Sequence, residues 1–167
     1  MLDVGNLIIH SAHGICQIDD ISDKEFSGTT KKYYTLHPID ETHGLTISTP
    51  VDNDKIKMMD LVNKEEAENV MEVFHADGVD WIEKPNLRIQ TYTAIVKTGD
   101  RTEIAKVAIT LLRKKHEQEA LERKFSEIDK TLLSSIQNIL YKELAIAFNT
   151  SKDAVSARVN QSIKEHL

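Results

Sequence analysis

The chain has 167 residues, 40% of them hydrophobic and 29% charged, with a formal net charge of −6. Such proportions fit one medium globular domain or two small ones and exclude a fibrous or disordered polymer. No apolar run approaches the roughly 18 residues of a spanning helix, residues 1–14 lack a signal peptide's apolar centre, and one cysteine, Cys16, cannot form an internal disulfide, which suits a cytoplasmic protein.

The first sixty residues read as strands. Residues 6–10 and 15–21 are β-branched runs separated by the turn signal His13-Gly14. A third run, 32–37, follows Gly28 and closes at Pro38, since proline cannot donate to a ladder. Residues 45–49 stop at Pro50, and 55–59 make a last short candidate. Five strands at roughly ten-residue spacing indicate a small antiparallel barrel or curled sheet.

The period then changes. From residue 64 to 74, Ala67, Val70, Met71 and Phe74 fall on one helical face, with Asn63 as the cap. A break at 76–86 contains Gly78 and Pro85. Beyond it, helix 87–96 stops at Gly99, and Asp100 caps 101–124, where Ile104, Val107, Ala108, Leu111 and Leu112 recur at helical spacing. Ser126 caps the next helix, with Asp129 at the third helical position as a variant capping box. Its apolar face is Leu132, Leu133, Ile136, Ile139, Leu140, Leu144 and Ala147; Thr150 or Ser151 caps a last helix carrying Val155, Val159 and Ile163. The expected class is α+β, β then all-α: a five-stranded antiparallel domain at 1–60, a helix and linker at 61–84, and a compact helical bundle at 85–167.

Charge divides the chain too. Residues 1–84 hold seven Lys/Arg against seventeen Asp/Glu, a net of −10; residues 85–167 hold fourteen against ten, a net of +4. Opposite signs suggest two different partners, although two ordinary solvated surfaces would look the same.

Catalytic signals are weak. His10-x-x-His13-x-x-Cys16 has a zinc-like spacing, with His37 or His43 as a fourth ligand, but strand alternation sends neighbouring side chains to opposite faces. A Cys16–His13 dyad is disfavoured because Cys16 lies in an apolar strand, where a thiol is inert packing. No phosphate-cradling glycine loop and no G-x-S-x-G occurs, and the pairs Asp19-Asp20 and Glu65-Glu66 read as solvated charge. No enzyme, metal or cofactor is expected.

The second half offers Arg113-Lys114-Lys115, Arg123-Lys124 and Lys130. A lysine in the first turn of a helix opposes the macrodipole and invites an outside anion, at a cost of only tenths of a kcal/mol. Lys and Arg contacts to phosphates would give sequence-independent DNA affinity. Trp81, the single tryptophan, precedes the basic helices; an aromatic beside cations can wedge against unstacked bases, whereas a lone tryptophan in a linker more often packs over a domain junction.

These residues resemble a known family. The opening Val4-Gly5-Asn6-Leu7-Ile8-Ile9-His10-Ser11-Ala12-His13-Gly14 is similar to the V-G-D-x-V-V-Y-P-x-H-G start of the CarD family of bacterial transcription factors. The resemblance continues through Ile18-Asp19-Asp20-Ile21, Gly28, Tyr33-Tyr34-Thr35-Leu36 and Ile47-Ser48-Thr49-Pro50. In the second half it takes in Thr98-Gly99-Asp100, Ile104-Ala105-Lys106-Val107, Phe125-Ser126-Glu127-Ile128-Asp129-Lys130 and Glu143-Leu144-Ala145. It implies a Tudor-like five-stranded domain that binds the RNA polymerase β subunit, and a helical bundle that stabilises the open promoter complex at the upstream edge of the bubble. The partners so implied are that subunit and promoter DNA, bound without sequence specificity by a monomer, with no membrane.

On this resemblance the polymerase surface maps onto Lys24, Phe26 and Ser48, the last replacing a common arginine. The DNA surface maps onto Arg88 and Lys130, with Lys114 and Trp81 added from the residue reading; Leu87 and Gln90 stand where the family often has cations. Counting back from Thr98-Gly99-Asp100 puts Pro85 at the family's wedge-tryptophan position. Either a short insertion carries Trp81 to an equivalent place, or the wedge is absent. The alternative function is a polymerase-docking interaction module that does not touch DNA.

Overall fold

The structure, a computed structural model, describes residues 2–40, 44–53 and 55–166. The chain divides into two compact units, Met1–Leu61 and Val62–Leu167. No helix among the described residues is long and apolar enough to cross a membrane.

The first unit is one antiparallel sheet of β1 (Leu7–His10), β2 (Gly14–Phe26), β3 (Thr29–Pro38), β4 (Ile47–Pro50) and β5 (Met58–Asp60), in the order β4-β3-β2-β1-β5. Alternation along β1 to β3 directs Ile8, Cys16, Ile18, Tyr34 and Leu36 into one core. Pro38 does end β3, opposite Cys16.

The β2–β3 hairpin is longer than its apolar pattern suggested, adding residues 22–26 and 29–31 to the strands. These carry mostly polar side chains and are held in register by the turn. Ser27 and Gly28 both have positive φ, 53° and 79°, the pair of conformations a two-residue type I′ turn needs to match strand twist. A register shift between Ile18 and Asp20 marks a bulge in β2.

The second unit contains α1 (Lys64–Val73), α2 (Pro85–Lys97), α3 (Arg101–Ala120), α4 (Glu127–Ile136), a π-helical turn (Gln137–Tyr141), α5 (Lys142–Ala147) and α6 (Lys152–Glu165). Asn63 closes a full capping box with Glu66 at the start of α1. Asp100 accepts from the N–H groups of Thr102 and Glu103, and Ser151 from that of Ala154. Pro85 begins α2 at a position where the absent N–H has no intrahelical partner to lose.

Three readings change. The first is α1, set apart with the linker at 61–84, which buries Ala67, Val70, Met71 and Phe74 in the same core as α3 to α6. Ser126 starts α4 by backbone position alone: its side chain makes no capping bond, and Asp129 is buried instead of closing a box. The third is the apolar stripe, which does not run unbroken from 132 to 147. The π turn adds an extra residue to the helical cycle and shifts the phase, leaving Ile139 39% exposed while Tyr141 and Glu143 are 1% exposed.

Candidate polymerase and nucleic-acid interfaces

In the β unit the structure gathers the three residues mapped to polymerase. Lys24 and Phe26 are two apart on β2 and so share a face. Lys24 Nζ donates to Ser48 Oγ on β4 at 2.9 Å. Ser48 lacks the charge of an arginine, and it holds the Lys24 ammonium over the β4 edge. Phe26 is 54% exposed and meets the Tyr33 ring edge-on at 5.2 Å, so an apolar ring stands beside a cation on an outer surface.

The zinc-like trio does not converge. Among the described residues, His10, His13 and Cys16 form no cluster of metal-ligating atoms, and His43 lies outside those residues. His10 is buried on β1, where its Nδ1 accepts from the Ala12 N–H at 3.1 Å and its Nε2 lies 3.4 Å from Thr49 Oγ1. Burial, with the neighbouring His13 adding to it, holds the His10 imidazole below its ordinary value. Cys16 is fully buried, and burial pushes its thiol up to about 11, the opposite of nucleophilic activation.

In the helical unit, the segment between α1 and α2 has no regular structure, yet its carbonyls are taken up by side chains. Arg113 donates to Ala76, Thr110 Oγ1 to Val79 at 2.6 Å, Tyr92 to Asp80 at 2.6 Å, and Arg88 to Ile82 and Glu83 at 2.8 and 3.3 Å. Gly78 is needed for this approach: a Cβ there would collide with the Thr110 hydroxyl and stand 2.8 Å from the Lys106 carbonyl. Trp81 rides on this pinned stretch, half-buried against the core.

Two cations lie over the Trp81 ring, the Arg88 guanidinium carbon at 4.1 Å and Lys114 Nζ at 4.9 Å from its centroid. Arg88 is only 4% exposed. Its Nε and Nη2 donate to the two Asp129 oxygens at 2.9 and 2.8 Å, a bidentate pair from α2 to α4.

Of the four residues mapped to DNA, the structure therefore brings Trp81, Arg88 and Lys114 together. All three Arg88 nitrogens are bonded within the unit, to the Asp129 carboxylate and to the Ile82 and Glu83 carbonyls. Lys130, next to Asp129, is exposed, as are Leu87 and Gln90. Lys114 is 3.6 Å from Glu117, and Lys115 and Arg113 also face carboxylates.

A second ion pair involves Glu143, which the sequence offered only as part of a motif. Glu143, on α5, accepts from Arg101 Nε and Nη2 at 3.1 and 2.8 Å and from the Val62 N–H at 2.9 Å. It ties the start of α3 and the first residue of the unit to α5. The pairs Arg88–Asp129 and Arg101–Glu143 are 41 and 42 residues apart in the chain, and no local sequence signal couples them.

Residues 2–62 match the CarD-like/TRCF RID domain, and residues 69–160 match the CarD, C-terminal domain. The chain belongs to the CarD family. Its two matched domains make it a transcription-associated, RNA polymerase-interacting protein of a regulatory family. No curated protein matches the chain. The boundary between the two matches, at 62–69, spans the start of the helical unit at Val62.

Proposed function

We propose that this protein binds the RNA polymerase β subunit through Lys24, Phe26 and Ser48 and, from that tether, stabilises the promoter open complex at the upstream edge of the bubble. Docking raises the local concentration of the helical unit, so weak contacts to DNA suffice. The edge position of β4 supports this reading, because an edge strand can take another chain's strand beside it.

The observation that carries the DNA half is the presentation of Trp81. It stands on an irregular segment whose carbonyls are fixed by four side chains, with two cations over its ring. A pre-positioned aromatic can brace an unstacked base step with little ordering cost at the moment of contact. Lys114 and Lys130 add phosphate attraction without reading sequence. The protein acts as a monomer in the cytoplasm, by binding and without catalysis.

The test is open-complex lifetime with the cognate polymerase. Trp81→Ala should shorten the lifetime while leaving pull-down by the isolated β-subunit lobe intact, and Lys24→Glu should abolish both. If Trp81→Ala loses polymerase binding as well, the tryptophan is a structural residue.

A second reading, docking on polymerase without DNA contact, is favoured by the internal bonding of Arg88 and the carboxylate partners of Arg113, Lys114 and Lys115. Salt separates the two: direct phosphate contacts give a steep fall of ternary-complex affinity with ionic strength, and a flat titration supports the interaction module.

A further inference from the structure

His75, Glu165 and His166 have no part in either proposed interface. His75 follows the end of α1, Glu165 is the last residue of α6, and His166 caps that helix. Each offers one ligand atom, and these atoms lie within 4.8 Å of one another on the exposed surface. The two imidazole centroids are 5.3 Å apart.

The hydrogen bonds around them favour ligation. His166 Nδ1 lies 3.0 Å from the Ser162 carbonyl, which can only accept, so this nitrogen carries the proton and the other keeps its lone pair. Ser162 gives its hydroxyl proton to the Arg158 carbonyl at 3.1 Å and so faces His75 Nε2, 3.5 Å away, as an acceptor. These contacts involve Nδ1 of His166 and Nε2 of His75, and the other nitrogen of each ring lies outside them. Anchoring of the non-ligating nitrogen by a carbonyl or hydroxyl is the usual orienting arrangement for metal-binding histidines.

We propose that His75, Glu165 and His166 form a binding site for a borderline divalent transition metal of the Zn²⁺ class, which fastens the end of α6 to the end of α1. Two imidazoles and a carboxylate suit Zn²⁺ or Ni²⁺ and not Mg²⁺ or Ca²⁺, which prefer all-oxygen shells. Three protein ligands on an open surface leave the remaining positions to water. Because the ligands come from distant parts of the chain, the metal binds the folded unit better than the unfolded one and stabilises it.

The experiment is Zn²⁺ titration of the full chain by calorimetry, with Mg²⁺ as control, together with thermal melts. One Zn²⁺ per chain and a Zn²⁺-dependent rise in melting temperature are expected for the wild type. Both should be lost in His75→Gln and in His166→Gln, whose circular dichroism without metal should match the wild type. Ser162→Ala, which removes an orienting hydroxyl and no ligand, should weaken Zn²⁺ binding about tenfold. Co²⁺ substituted for Zn²⁺ should give d–d bands without thiolate charge transfer. The proposal is overturned by no saturable uptake in the wild type, by equal uptake in both histidine variants, or by a thiolate band, which would move the metal to Cys16.

Discussion

Asp129→Ala tests the support of the tryptophan most directly. The Arg88 and Asp129 side chains are 5% and 2% exposed and share two bonds of 2.8 to 2.9 Å. Removing the carboxylate leaves a guanidinium out of water with one partner group gone, for which about 3–5 kcal/mol is typical. At about 4 °C per kcal/mol for a domain of about a hundred residues, the helical unit should melt about 12–20 °C lower. Asp129→Asn keeps the shape and one acceptor, and should cost less, about 1.5–3 kcal/mol.

The same variants have an optical readout, because Trp81 is the only tryptophan and the Arg88 guanidinium stands over its ring. Releasing Arg88 should shift and change the intensity of its emission in Asp129→Asn while the fold persists. The double replacement Arg88→Met with Asp129→Leu should recover most of the lost stability, since a packed apolar pair avoids the desolvation of two ions, but it should not recover the wild-type emission. A loss under about 1 kcal/mol in Asp129→Ala would refute a buried, mutually dependent pair. Unchanged emission in both Asp129 variants would refute the dependence of Trp81 on Arg88.

Glu143→Ala should cost less than Asp129→Ala, about 1–3 kcal/mol by urea denaturation, because it removes the acceptor of the buried Val62 N–H and one partner of Arg101, whose side chain is 19% exposed. Glu143→Gln, which can still accept from both, should fall short of that loss. Cys16 should resist alkylation at pH 8 in the folded protein and react at once in urea, since burial pushes its thiol up to about 11 and only the thiolate attacks. Acid should weaken the β unit through His10. Its folded-state value is depressed below the ordinary 6.5 by burial first and His13 second, so its contribution is complete above 6.5 and is lost as pH falls below it; His10→Asn should flatten that part of the stability-against-pH curve.

The sequence alone determined the order of the fold. Alternating β-branched runs and then helical spacing are local properties, so the five strands, the caps at Asn63 and Asp100 and the α+β class were legible without any tertiary information. So was the family, whose motifs are spread along the chain in one order. Features set by pairing across the chain were not. The lengthened β2–β3 hairpin is made of polar residues and a two-residue turn, which hydrophobic pattern does not see. The π turn at Gln137–Tyr141 has no signature in the apolar spacing, and it shifts the helical phase where Tyr141 is buried and Ile139 exposed.

The same division runs through the functional residues. Sequence singled out Trp81 and Lys114 because of their type and their place by the basic helices, and Arg88, Lys130, Lys24, Phe26 and Ser48 by resemblance. Only the tertiary structure put Ser48 under Lys24, set Arg88 and Lys114 over Trp81, and bonded Arg88 to Asp129. Whether a charge faces solvent or a buried partner depends on residues some forty positions away, and an energy of several kcal/mol rides on that distinction. A string of residue types does not carry it; the packing of α2 against α4 does.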